Sequence, residues 1–191
     1  MKYRFKQIFL VVTVTMIMFN NQVFSQHKEV SVYSELLHFQ NINHLPEYIN
    51  ESTIKQFSSY DRKGGNNDGF EGTYSYIRKE AGSSLVIFEV QGNGVINRIG
   101  TPTPTNDILD FYFGKTAKPS FLLSFQRKIY PLEPLPGNEL DGFYFYMPIP
   151  FKNGCKIVLR GETLGFYEIQ YRSYPKNYLV KIIYFGTIRS S

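Results

Sequence analysis

Hydrophobic and polar positions along this chain fall into three regimes. The first is an apolar run over residues 8–19, behind Lys2, Arg4 and Lys6 and ahead of Val23-Phe24-Ser25. A run of about a dozen falls short of the ~20 residues a spanning helix needs. With its basic start and its small or apolar residues before a cleavage point, 1–25 reads as a secretory signal peptide. The second regime covers 30–39, where Val30, Tyr33, Leu36, Leu37 and His38 recur near helical spacing until Leu45-Pro46 ends the pattern. It predicts one short amphipathic helix packed on a sheet. The third is the rest of the chain, short apolar segments between turn signals at the ~8–12 residue rhythm of an all-β sandwich. Strands are expected over 73–78, with Tyr74 and Tyr76 on one side, and over 84–90, 95–101, 108–113, 120–125, 143–146, 155–160, 166–172 and 178–185. Gly92 to Gly94 turns the chain, and the three prolines in 131–137 predict an extended loop. The expected fold is all-β, a single jelly-roll β-sandwich with a short N-terminal helix, occupying 26–191 as two packed antiparallel sheets.

Composition sharpens this picture in a few places. Fifteen Tyr and 17 Phe without any Trp favour strands, and about 165 residues after the signal suffice for one domain with a core. The formal charge of +5 includes the three basic side chains of 1–25, leaving about +2 on the remainder. So small a charge, scattered along the chain, argues against nucleic acid or an anionic membrane as partner. The signal implies a secreted or periplasmic protein with no membrane attachment after cleavage. Cys155 stands alone, so no internal disulfide is expected, and it reads as a buried apolar residue. His27, His38 and His44 have no partners at ligand spacing, so no metal or cofactor is expected.

The densest polar stretch is 57–70, Phe-Ser-Ser-Tyr-Asp-Arg-Lys-Gly-Gly-Asn-Asn-Asp-Gly-Phe. Gly64 and Gly65 permit close backbone approach, while Asn66, Asn67 and Asp68 put amide donors and a carboxylate on one loop. That mixture suits sugar hydroxyls and is equally the composition of an ordinary turn. Seven carboxylates come into question for acid–base work: Asp61, Asp68, Glu71, Glu133, Glu139, Asp141 and Glu162. None forms a convincing pair of the kind glycoside hydrolysis uses.

The run Ser58-Ser59-Tyr60-Asp61-Arg62 into Gly64-Gly65-Asn66-Asn67-Asp68 resembles the opening motif of glycoside hydrolase family 172, once a bacterial domain of unknown function. Three later stretches resemble the same family in order: Gly92-Asn93-Gly94-Val95-Ile96-Asn97-Arg98-Ile99, Leu109 to Gly114, and Tyr146-Met147-Pro148-Ile149-Pro150-Phe151. The resemblance covers about 54–175 and implies activity on α-linked fructofuranosyl or arabinofuranosyl sugars, two jelly-roll domains, and trimers or larger homo-oligomers. It implies Asp61, Arg62, Asn66, Asp68 and Arg98 as substrate-binding positions. Asn66 and Asp68 are then expected to contact hydroxyls, Asp61 and Arg62 to form a charge pair fixing the loop, and Arg98 to orient a carboxylate. All of them could equally brace structure. Exposed Tyr74, Tyr76 and Tyr144 could stack on sugar faces.

The sequence departs from the family where catalysis would lie. The two catalytic glutamates of the family sit in Gly-Glu-Gly-Asp and Gly-Thr-Glu-Asp-Tyr motifs of the second jelly roll, which no segment here matches; Arg160-Gly161-Glu162-Thr163 is only an echo. Gly100 replaces an aromatic and Gly114 an acid. After Tyr174-Pro175 the family continues into its second domain, whereas this chain stops at Ser191, as a truncated or frameshifted product would. Two functions stay open: a carbohydrate-active front half of an α-furanosidase without hydrolysis of its own, and a secreted non-catalytic sandwich for glycan binding or assembly.

Overall fold

The computed structural model describes residues 29–40, 43, 51–125, 135–139 and 142–182. The expected signal over 1–25, together with His27 and His44, lies outside them.

The chain opens with β1 (Glu29–Val30) and helix α1 (Val32–Gln40), then runs through β2 (Thr53–Ser58), β3 (Arg78–Lys79), β4 (Leu85–Val90), β5 (Asn93–Thr101), β6 (Ile108–Phe113) and β7 (Phe121–Ser124). It continues with β8 (Pro136–Glu139), β9 (Gly142–Phe145), β10 (Ile149–Phe151), β11 (Cys155–Leu159), β12 (Glu168–Tyr174) and β13 (Leu179–Val180). One sheet has the order β2-β12-β5-β9-β8, with β10 beside β9 along β5, and the other β3-β4-β11-β6-β7. Four strands of each, β2-β12-β5-β9/β10 and β4-β11-β6-β7, nest as two Greek keys, the arrangement of a jelly roll.

The core lies between the sheets. Leu85, Ile87 and Phe88 of β4 and Ile157 and Leu159 of β11 meet Ile96 and Ile99 of β5, Phe151 of β10 and Ile169 and Tyr171 of β12. Phe88 is the bridge: its ring centroid lies 5.0 Å from that of Phe57 on β2 and 5.2 Å from that of Tyr171. At Gly94 the neighbouring strands β5 and β12 of the first sheet approach so closely that a Cβ would fall 2.7 Å from the Arg172 carbonyl. A second, smaller cluster of Val30, Val95, Tyr174, Tyr178 and Val180 lies on the other face of the first sheet, because Val95 and Ile96 are neighbours on a strand and point to opposite sides. The parallel ribbon of β1 and β13 covers it.

Helix α1 closes this end. Ser31 and Ser34 cap it reciprocally, Ser34 N donating to Ser31 Oγ at 3.1 Å and Ser31 N to Ser34 Oγ at 2.9 Å. Its buried side chains are Val32 and Glu35, while Tyr33 and Leu37 are exposed, so the helix turns a different face inward from the one its apolar spacing suggests. Glu35 decides the orientation. It accepts from Tyr174 Oη at 2.9 Å and Asn97 Nδ2 at 3.2 Å, and lies 3.7 Å from Arg172 Nη1. A buried carboxylate with three polar partners outweighs two exposed apolar side chains.

Other expectations shift locally. The segment expected as strand 73–78 is turn up to Ser75, with pairing only at Arg78 and Lys79. Ser75 is fully buried and donates to the Gly165 carbonyl at 2.6 Å, which ties the segment to a neighbouring loop instead of a ladder. Thr53–Ser58 is a strand that the polar pattern conceals. Pro136 and Gly137, expected in a loop, open β8 at the sheet edge, where the amide missing from proline has no ladder to serve. The expected strand 178–185 pairs only at Leu179 and Val180 before the described residues end.

One irregularity positions the site. Gln170 pairs with Arg98 but Tyr171 pairs with Ile96, so Asn97 is an extra residue in β5. Such a bulge lets two successive side chains leave the core. Asn97 reaches Glu35 beneath the helix, and Arg98 turns to Glu168 on the open part of the sheet.

Candidate functional site

Beyond the helix, the outer face of the first sheet forms a groove of about 590 Å³, within the roughly 300–1,000 Å³ typical of ligand pockets. Its floor follows the strand alternation: Ser58, Glu168, Gly100 and Tyr144 lie in one cross-strand row, with Gln56, Gln170 and Arg98 in the next. Tyr60 and Asp68 of the polar loop form one wall; Tyr146 forms another, its ring 5.6 Å from that of Tyr144.

The polar loop is held mostly by its own carboxylates. Asp61 Oδ1 accepts from Lys63 N at 2.9 Å and Oδ2 from Asn67 N at 3.3 Å, while Asp68 Oδ1 accepts from Asp61 N at 2.5 Å. The Lys63 amide foremost, then the Asn67 amide and Tyr74, hold the Asp61 carboxyl below its ordinary value against the opposing effect of desolvation. Asn67 Nδ2 donates to Thr73 Oγ1 at 3.0 Å, and Ser59 Oγ donates to the Asp68 carbonyl at 2.9 Å. Gly69 is required where the loop meets the sandwich: its φ is +115°, and a Cβ there would fall 3.0 Å from both Phe166 N and Ser59 Oγ. Behind it, Tyr167 donates to the Ile87 carbonyl at 3.0 Å, and burial pushes its hydroxyl up to about 12.

The sequence-derived positions separate into two groups. Asp68 and Arg98 line the groove; Asp61, Arg62 and Asn66 do not. Asp61 and Arg62, expected to pair, have different partners. Arg62 donates to the Tyr74 carbonyl at 3.2 Å and to the Ser58 carbonyl at 3.4 Å, and its guanidinium lies over the rings of Tyr60 and Tyr74 at 5.3 and 5.5 Å. Backbone amides are nearer to the Asp61 oxygens than any arginine, and the aromatic faces attract the cation. Asn66 is exposed at the loop tip. Arg98 does meet a carboxylate, that of Glu168 on β12 rather than one from the loop, with Nη1 2.8 Å from Oε1 and its guanidinium 5.7 Å from the Tyr146 ring. Of the three tyrosines considered for stacking, Tyr144 lines the groove, Tyr74 packs against Arg62, and Tyr76 packs against the core.

Glu168 was absent from the carboxylates singled out from sequence. Its signal was the alternation Glu168-Ile169-Gln170-Tyr171, polar outward and apolar inward, which places it on the open face. Among the described residues there is no cluster of three His, Cys, Asp or Glu side chains able to hold a metal, and no helix long and apolar enough to cross a membrane.

A two-sheet sandwich hosts many functions, so the class of protein is read from more than its fold. The family model for the GH172 first beta-sandwich domain matches residues 50–184, and the chain belongs to that glycoside hydrolase family. No curated protein matches it.

Proposed function

We propose that this chain is a secreted carbohydrate-binding domain that holds an α-linked furanoside in the groove and performs no hydrolysis by itself. The observation that carries the reading is the make-up of the groove. Tyr60, Tyr144 and Tyr146 offer aromatic faces, while Ser58, Gln56, Asp68 and the Arg98–Glu168 pair offer donors and acceptors beside them. Stacking and hydroxyl contacts together are what a sugar requires. Membership of a glycoside hydrolase family supports the ligand class.

Hydrolysis needs two carboxyl groups flanking the scissile bond with one free to move a proton. In this groove one oxygen of Glu168 meets Arg98 and one of Asp68 accepts from the Asp61 amide, so neither carboxylate is without a polar neighbour. A second domain or chain would supply the catalytic pair. The test uses the full chain without its first 25 residues, titrated with fructose- and arabinose-containing α-furanosides. Saturable binding with no released monosaccharide is expected. Monosaccharide release by the purified chain would overturn the non-hydrolytic part; absence of binding would overturn the whole.

A second reading, an assembly domain, draws on apolar exposure. Tyr33 on α1 is 72% exposed, and Ile54, on the open edge strand β2, is 66% exposed. Sedimentation of the chain distinguishes it: a concentration-dependent oligomer abolished by Ile54→Lys favours assembly.

A further inference from the structure

Among the arginine–carboxylate contacts of the described residues, those of Arg160, Arg78 and Arg98 on the outer faces of the sheets bear comparison. Arg160 grips Asp110 with two nitrogens, Nε to Oδ2 and Nη2 to Oδ1, both at 2.7 Å. Arg78 grips Glu89 with two as well, Nη1 to Oε2 at 2.5 Å and Nη2 to Oε1 at 3.1 Å. Both are the fork-to-fork geometry that saturates a carboxylate. Arg98 and Glu168 differ. They approach through one nitrogen and one oxygen at 2.8 Å, without the angle of a hydrogen bond, and Arg98 Nε and Glu168 Oε1 are buried without a hydrogen-bond partner. Glu168 Oε2 and Arg98 Nη2 make no hydrogen bond among the described residues, the guanidinium lies 5.7 Å from the Tyr146 ring, and both side chains line the groove.

The surroundings leave room at this point. In the row Glu168–Gly100–Tyr144, glycine stands between two large side chains. Two strand spacings separate β12 from β9, roughly 9.6 Å; Arg98 Nε lies 3.9 Å from where a Gly100 Cβ would fall, so the arginine leans over the glycine and the open part of the groove lies between it and Tyr144. Tyr144 leans away from it over Gly137, where a Cβ would fall 2.6 Å from Tyr144 Cζ.

We propose that Arg98 and Glu168 form a diol clamp in which a sugar ring seated between this pair and Tyr144 donates a hydrogen bond from one hydroxyl to the Glu168 carboxylate and accepts one from the Arg98 guanidinium on the adjacent hydroxyl. A donor and an acceptor side by side read two neighbouring hydroxyls and discriminate against a ring lacking one of them. The assignment rests on the groove being the sugar site.

The experiment is an NMR titration of the full chain with methyl α-D-arabinofuranoside and methyl α-D-fructofuranoside, each beside an analogue lacking one hydroxyl of the ring's vicinal pair. The parent glycosides are expected to bind at least about tenfold more tightly than the deoxy analogues, the loss of a charge-assisted hydrogen bond. Glu168→Met should reduce that ratio below about threefold, and Glu168→Gln, which keeps an acceptor, should recover part of it. Tyr144→Ala should weaken parent and analogue alike. Spectra of each variant report directly whether it folds. A ratio near one in the unaltered chain, or one unchanged in Glu168→Met, overturns the clamp while leaving the groove as a sugar site. Failure of Tyr144→Ala to weaken any sugar, or no binding at all, overturns the groove as well.

Discussion

At Asp61 a single carboxylate closes the polar loop, accepting amide protons from Lys63 and Asn67 across five residues of chain. The Lys63 amide is the largest influence holding its carboxyl below the ordinary 3.8. A carboxyl lowered in the folded state contributes its stabilisation in full above the unfolded value and loses it as pH falls through the folded one. Loop closure is therefore expected to persist down to the ordinary carboxylate range and to fade only below it. The amide shifts of Lys63 and Asn67, followed by NMR from pH 6 to pH 2, should move with a midpoint under that range, and Asp61→Asn should remove the transition. The composition of this loop was plain in the sequence, and so was its capacity to hold a ligand or itself. Which of the two each side chain does was not, because it depends on whether Asp61 or Asp68 turns outward. Asp61 is engaged by the loop's own amides, and Asp68 faces the groove.

For whole elements, helix α1 illustrates how one polar contact overrides periodicity. Of the expected stripe, Val30 is buried in β1 and Leu36 packs against the core, yet Tyr33 and Leu37 are exposed and the buried positions of the helix are Val32 and Glu35. Apolar spacing cannot reveal that Asn97, Arg172 and Tyr174 will converge on one carboxylate from two strands. Glu35→Ala would leave Arg172 and the Tyr174 hydroxyl without their partner, at a cost of about 3 kcal/mol, and should raise hydrogen exchange in α1 and in the β1–β13 ribbon before the rest of the sandwich. Glu35→Gln, which keeps two acceptors' worth of shape and one carbonyl, should cost less. The strands fared better: seven of those expected coincide closely with pairing, because 84–90, 95–101, 108–113 and 155–160 bury one or both faces and carry the apolar pattern that burial demands. β2 stayed hidden since an edge strand with four exposed residues need not look apolar, and 73–76 imitated a strand because tyrosines also line loops.

Across the whole molecule, the sandwich assigns its two outer faces to different tasks. The outer face of the second sheet carries charged ladders, Arg78 with Glu80 and Glu89, and Lys156 with Glu80. The first sheet is roofed at one end by α1 and the β1–β13 ribbon and left open at the other. The jelly roll was legible from strand rhythm and turn signals, and the family from four short motifs, since both depend on local sequence. The groove was only half legible, with Asp68, Arg98 and Tyr144 visible but Glu168 unseen, because its shape arises from pairing between strands some 70 residues apart, β5 with β12.

The extra residue in β5 carries a consequence of parity. Ile96 and Ile99 both face inward although three positions separate them, an odd step that a regular strand cannot make. Without Asn97, the order Ile96-Arg98-Ile99 would alternate without interruption, the arginine still outward and both isoleucines still inward. A variant lacking Asn97 is therefore expected to fold and to keep the sugar affinity proposed for the groove, while the amides of α1, deprived of one anchor, exchange faster with solvent. The helix roof and the groove floor would then be separable by removing one codon, which marks Asn97 as a joint between two parts of the same strand.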